Sequence, residues 1–134
     1  MITHHDALVY CMVLLSAADN DMTDNELRII GDIVHSLPVF ADYDTDRLTE
    51  TASHCADLLV DEDGLDKALD IVVAALPEKL RETAYALALD VAAADGEVHQ
   101  EEMRMLELIR HRLDIDRLIA AALERGVRAH FATA

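Results

Sequence analysis

The chain has 134 residues, of which 52% are apolar and 4% aromatic, so it can bury a core and is too apolar for a disordered acidic segment. Its 27 acidic and 11 basic residues give a formal net charge of −16. Residues 1–100 carry 21 acids against 5 bases, whereas residues 101–134 carry six of each. This charge argues against nucleic-acid binding, because it repels phosphate backbones, and favours cations or a basic partner.

Apolar residues at helical spacing predict one all-α domain over residues 1–134, a compact bundle of about seven helices. The first helix is expected to be largely buried, since polar residues rarely interrupt it. Pro38 and Pro77 end the second and fourth helices, and Gly126 is expected to end the seventh as a left-handed cap. Met103 is expected to face inward from the sixth. The predicted helices cover about residues 3–18, 23–37, 46–60, 65–76, 78–94, 100–112 and 115–126.

The N-terminal apolar run indicates no export signal. Residues 7–18 are too few to span a bilayer, and no basic segment precedes them. Cys11 and Cys55 lack the spacing of a metal site and are expected to be buried thiols. We therefore expect a cytoplasmic protein without a membrane span.

An acidic stretch occurs twice, 76 residues apart. Aligning 17–33 with 93–109 gives six identities in seventeen positions, among them Asp19 with Asp95 and Glu26 with Glu102. Each copy reads as helix, short acidic turn and helix, so we predict an internal pseudo-symmetric repeat with halves at about 3–37 and 79–113.

The repeated turns carry carboxylates with a common spacing. Asn20 in one copy and Gly96 in the other tolerate the left-handed backbone of a sharp turn, which would direct the flanking carboxylates to a common point. Oxygen ligands without Cys or paired His favour Ca²⁺ or Mg²⁺ over zinc. The candidate ligands are Asp19, Asp21 and Glu26 in the first copy and Asp95, Glu97 and Glu102 in the second.

Helix capping explains part of the same pattern. Thr23 and Glu26 form a capping-box signature, so Glu26 has a structural role available without any cation. His99 is a poorer N-cap than Thr23, and this leaves Glu102 more available as a ligand. Both interpretations remain open for each copy.

The second copy, Asp95-Gly96-Glu97-Val98 followed by Glu102 after an alanine-rich helix, resembles the TerB-like family associated with tellurite resistance. The first copy, running from Ser16 to Glu26, is similar to that family's N-terminal motif, although Asn20 replaces the glycine. The resemblance implies a helical bundle with internal pseudo-symmetry, an acidic cluster for a divalent cation, and links to stress responses and membrane-associated complexes. It implies no catalytic activity.

Three functions are compatible with these residues. The first is a non-enzymatic domain that binds a divalent cation through both acidic turns. The second is a protein-interaction module with structural turns, whose acidic face docks a basic or membrane-associated protein partner. The third, an enzyme using clustered carboxylates such as Asp61 and Asp63, is disfavoured because no nucleophile elbow or phosphate-binding glycine loop is present.

Overall fold

The computed structural model describes residues 2–19, 23–94 and 98–134, with the side chain of Asp19 left out. The described residues form seven α-helices and no strand, which confirms the all-α prediction. Single 3₁₀ turns extend or join the helices at Ala17–Asp19, Pro38–Phe40, Thr45–Arg47 and Glu78–Leu80. The helices are α1 (His4–Ser16), α2 (Asp24–Ser36), α3 (Leu48–Leu58), α4 (Gly64–Ala75), α5 (Arg81–Ala94), α6 (Gln100–Arg112) and α7 (Arg117–His130).

Helix α1 lies at the centre of the bundle. Every residue from His5 to Ser16 is buried, and α1 packs against α3, α4, α5 and α6. Apolar side chains on all faces are typical of a helix surrounded by others. The predicted buried first helix is therefore confirmed.

Two buried polar residues fix the start of α1. Asp6 completes a capping box with Thr3, and its carboxylate also accepts a hydrogen bond from Thr51 Oγ1 at 3.2 Å. Arg47 Nη2 lies 3.4 Å from the same carboxylate. His5 Nε2 lies 2.8 Å from the carbonyl oxygen of Val39. These contacts join the start of α1 to α3 and to the segment between α2 and α3. They also provide hydrogen-bond partners for buried polar side chains, whose burial without partners would cost free energy.

Ion pairs join α4 to α6. Arg112 Nη1 lies 3.6 Å from Asp66 Oδ1, and Arg112 Nη2 contacts Asp70. Arg112 of α6 therefore pairs with two acids of α4.

Two sequence predictions about the last helices are wrong. Helix α7 does not end at Gly126 but continues to His130, because the residues beyond the glycine still make helical hydrogen bonds. Met103 is not buried in the core, since 59% of its surface is exposed. The neighbouring Leu106 is buried.

The internal repeat stays a prediction, as does the extent of the domain over residues 1–134. Within the described ranges, no helix combines the length and apolar character that crossing a membrane requires.

Candidate functional site

The candidate site lies at two helix–helix junctions, between α1 and α2 and between α5 and α6. Of the six candidate ligands, the structure describes the side chains of Glu26 and Glu102. The predicted ligands and turn residues that lie outside the described residues are Asn20, Asp21, Asp95, Gly96 and Glu97. The side chain of Asp19 also lies outside them.

Glu26 is held at the start of α2 by a reciprocal pair of hydrogen bonds. Its Oε1 accepts from the backbone N–H of Thr23 at 3.3 Å, and Thr23 Oγ1 accepts from the N–H of Glu26 at 3.2 Å. The predicted capping box is confirmed. It turns the carboxylate of Glu26 back towards the residues that precede the helix.

Glu102 is held in a similar way at the start of α6. Its Oε1 accepts from the backbone N–H of His99 at 3.2 Å. Glu102 makes this contact although His99 is a poorer N-cap than Thr23, because the contact uses a backbone N–H, which any residue except proline supplies. Glu102 is only 5% exposed, whereas Glu26 is half-buried, so the second glutamate is the more enclosed.

The first acidic stretch starts beside the helix that carries Glu102. The turn Ala17–Asp19 packs against α6, and so does α1. The last residue of α1, Ser16, is 2% exposed, and its hydroxyl makes no hydrogen bond with any described residue. The structure thus places a hydroxyl oxygen that could ligate a cation at the end of α1, close in sequence to Asp19.

The described donors fit a hard cation in type. Carboxylate and hydroxyl oxygens are the ligands that Ca²⁺ and Mg²⁺ take, and both described glutamates are oriented by helix starts. Taken alone, residues 2–19, 23–94 and 98–134 contain no cluster of three or more His, Cys, Asp or Glu side chains able to hold a metal. The remaining candidate ligands belong to the parts outside these ranges.

The cysteines have no reactive character. Cys11 and Cys55 are free and buried, as predicted, and burial raises the pKa of each thiol to about 12. Both thiols are therefore protonated near neutral pH, and the thiolate is the nucleophilic form.

Sequence reasoning missed a groove that lies between α6 and α7 with α5 as its floor. Met103, Leu106 and Glu124 line both of its adjoining recesses. The one related sequence signal is the balanced charge of residues 101–134, where six basic residues accompany six acidic ones.

Comparison with known proteins identifies the family. No curated protein sequence and no solved structure matches the chain. The family model described as tellurite resistance protein TerB matches residues 5–124, a range that includes the described helices except His4 of α1 and the end of α7. The chain belongs to the TerB family.

Proposed function

We propose that this TerB family member is a non-enzymatic domain that binds a divalent cation, Ca²⁺ or Mg²⁺, through its two acidic turns. Asp19, Asp21 and Glu26 are the ligands in the first turn. Asp95, Glu97 and Glu102 are the ligands in the second. Its contribution to tellurite resistance or to a stress response, the roles associated with the family, would depend on this cation.

The observation that carries the proposal is the shared orientation of Glu26 and Glu102. Each is the third residue of its helix, and each directs Oε1 to the N–H of the residue just before that helix. Each carboxylate therefore lies at the same position in the helix that follows its acidic turn. The burial of Glu102 and the packing of Ala17–Asp19 on α6, the helix that carries Glu102, support this proposal.

Isothermal titration of chelator-treated protein with Ca²⁺ and with Mg²⁺ tests the proposal. We expect the wild-type protein to release or absorb heat of binding at cation concentrations below roughly 1 mM. The double variant Asp95→Asn/Glu97→Gln should bind the cation at least about tenfold more weakly, because affinity depends on the number of charged side chains that ligate the ion. The matched control is Asp61→Asn/Glu62→Gln, which removes the same charges from the exposed junction before α4. Wild-type protein without heat at millimolar concentrations of both ions would contradict the proposal.

Glu102→Gln separates the ligand role from the cap. Glutamine keeps an oxygen that accepts the N–H of His99, so the start of α6 is preserved while the negative charge is lost. We expect weaker cation binding with little change in the unfolding midpoint of the cation-free protein. Full cation affinity in this variant would exclude Glu102 as a ligand.

A second function is favoured by the same hydrogen bonds. Because both glutamates cap helices, the turns have a structural role that needs no cation, and the acidic face would dock a basic or membrane-associated protein partner. Under this function, cations leave the thermal stability unchanged, and Asp95→Asn/Glu97→Gln weakens partner capture instead.

A further inference from the structure

The groove between α6 and α7, here called the α6/α7 groove, consists of two adjoining recesses of about 390 and about 550 Å³. Tyr85 and Leu89 of α5 contribute to its floor, and α7 packs along α5. Because Met103, Leu106 and Glu124 line both recesses, the groove is continuous along α6.

Exposed apolar side chains are concentrated in this groove. Val98, Met103 and Phe131 are 46%, 59% and 47% exposed, and all three line its larger recess. Contiguous apolar surface of this kind is typical of binding sites, whereas single exposed apolar residues are ordinary. Met103 suits such a surface, because its unbranched side chain adapts to different partners.

The charges along the groove reverse the balance of the chain. Three basic residues, Arg110, Arg117 and Arg128, line the groove together with two acidic ones, Glu107 and Glu124. The chain as a whole has 11 basic and 27 acidic residues. The groove therefore favours a ligand that carries carboxylates.

The groove arginines are available to such a ligand. Among the described residues, the arginines that form ion pairs are Arg47 and Arg112, and no ion pair involves Arg110, Arg117 or Arg128. The side-chain hydrogen bond of Arg110 is with His111.

The position of Arg117 suits pairing with a carboxylate from a bound molecule. Arg117 is the first residue of α7, where the helix dipole disfavours a positive charge. The residue thus does not stabilise its own helix. A carboxylate from a bound molecule would offset the unfavourable charge.

We propose that the α6/α7 groove binds an acidic amphipathic helix of a partner protein. Apolar residues of the partner, spaced at i, i+3 or i+4, and i+7, pack on Met103, Leu106 and the floor of the groove. Its flanking carboxylates pair with Arg110 and Arg117. The elongated groove and its adaptable methionine suit a helix, and the surplus of arginine over glutamate in its lining suits the carboxylates of that helix.

A peptide selection tests the proposal without any cation. The probe is a library of helical peptides with leucines at i, i+3 and i+7, in which the flanking positions are randomised to Glu or Lys. The library is selected against the full chain in a buffer that contains a chelator. Because divalent cations are absent, failure of the groove proposal is distinguishable from failure of the cation proposal. We expect enrichment of Glu at the flanks and micromolar binding of the enriched peptide by fluorescence anisotropy.

Variants locate the binding surface. We expect Met103→Glu to weaken binding of the enriched peptide at least tenfold. The double variant Arg110→Glu/Arg117→Glu should abolish the preference for Glu at the flanking positions of the peptide. Val60→Glu is the matched control, because Val60 is 83% exposed and lies outside the groove. Enrichment of Lys, an absence of enrichment, or equal weakening by Val60→Glu would overturn the proposal. Self-association that Met103→Glu abolishes, measured by sedimentation equilibrium, would identify a second copy as the occupant and also overturn it.

Discussion

At the scale of single residues, three carboxylates that occupy the same capping position differ in how deeply they are buried. Asp6, Glu26 and Glu102 are each the third residue of a helix, and each accepts a backbone N–H from the residue before that helix. Asp6 and Glu102 are buried, whereas Glu26 is half-buried. Equal spacing therefore does not imply equal exposure, and Glu102 is the acidic-turn glutamate on which cation binding should depend most.

Asp90 provides a residue-scale prediction of pH dependence. Burial raises the pKa of Asp90 above its ordinary value of 3.8, and the opposing influence of His130 is smaller. Asp90 shares a recess with Asp32 of α2 and His130 of α7. Because the folded protein binds this proton more tightly than the unfolded chain, the charged carboxylate destabilises the fold above its folded pKa.

We expect Asp90→Asn to raise the free energy of unfolding at pH 7 and to lose this advantage below about pH 3.8, where both states of the wild type are protonated. Urea unfolding across this pH range measures the effect. Asp32→Asn removes the same charge from an exposed position in the same recess, so it should stabilise less. Equal gains from the two variants would show that net charge, and not burial, is responsible.

At the scale of helices, local signals predicted most of the fold. The apolar spacing, the two prolines and the Thr23–Glu26 capping box each act within a few residues, so the sequence alone was sufficient for seven helices. The end of α7 could not be predicted in this way, because glycine permits a left-handed cap without requiring one. The exposure of Met103 depends on where α7 lies relative to α6, which no local pattern encodes.

Two glycines in helices give an opposed pair of predictions. Gly126 lies within α7, and an added Cβ would meet no atom of the described residues within 4 Å. Gly126→Ala should therefore stabilise the protein by about 0.5–1 kcal/mol. At Gly64, by contrast, a Cβ would collide with the backbone carbonyl of Leu58, which a side-chain movement cannot relieve.

We expect Gly64→Ala to destabilise the protein by about 1–3 kcal/mol, because the added methyl group would collide with the Leu58 backbone and force α3 and α4 apart. Chemical denaturation of both variants checks the pair. A stabilising Gly64→Ala would mean that the junction between α3 and α4 is looser than described, and a destabilising Gly126→Ala would contradict the helical conformation of residue 126.

At the scale of the whole molecule, charge and apolar surface are unevenly distributed. Residues 1–100 carry the entire net charge of −16, while the C-terminal part is balanced and contributes most of the α6/α7 groove. The two proposals therefore concern different surfaces, cations at the acidic junctions and an acidic helix in the groove. The repeated acidic stretch in the sequence led to the first proposal. The sequence did not identify the second, because the groove is formed by side chains from three helices that come together only on folding.

The most direct test of the central claim is a crystal structure of the protein grown with Ca²⁺, with Mn²⁺ substituted to locate the ion by anomalous scattering. The account predicts an ion at one or both acidic turns, with a carboxylate oxygen of Glu102 among ligands at about 2.3–2.6 Å for Ca²⁺. An ion bound only at the exposed Asp61–Asp63 junction, or acidic turns without an ion at millimolar Ca²⁺, would contradict it.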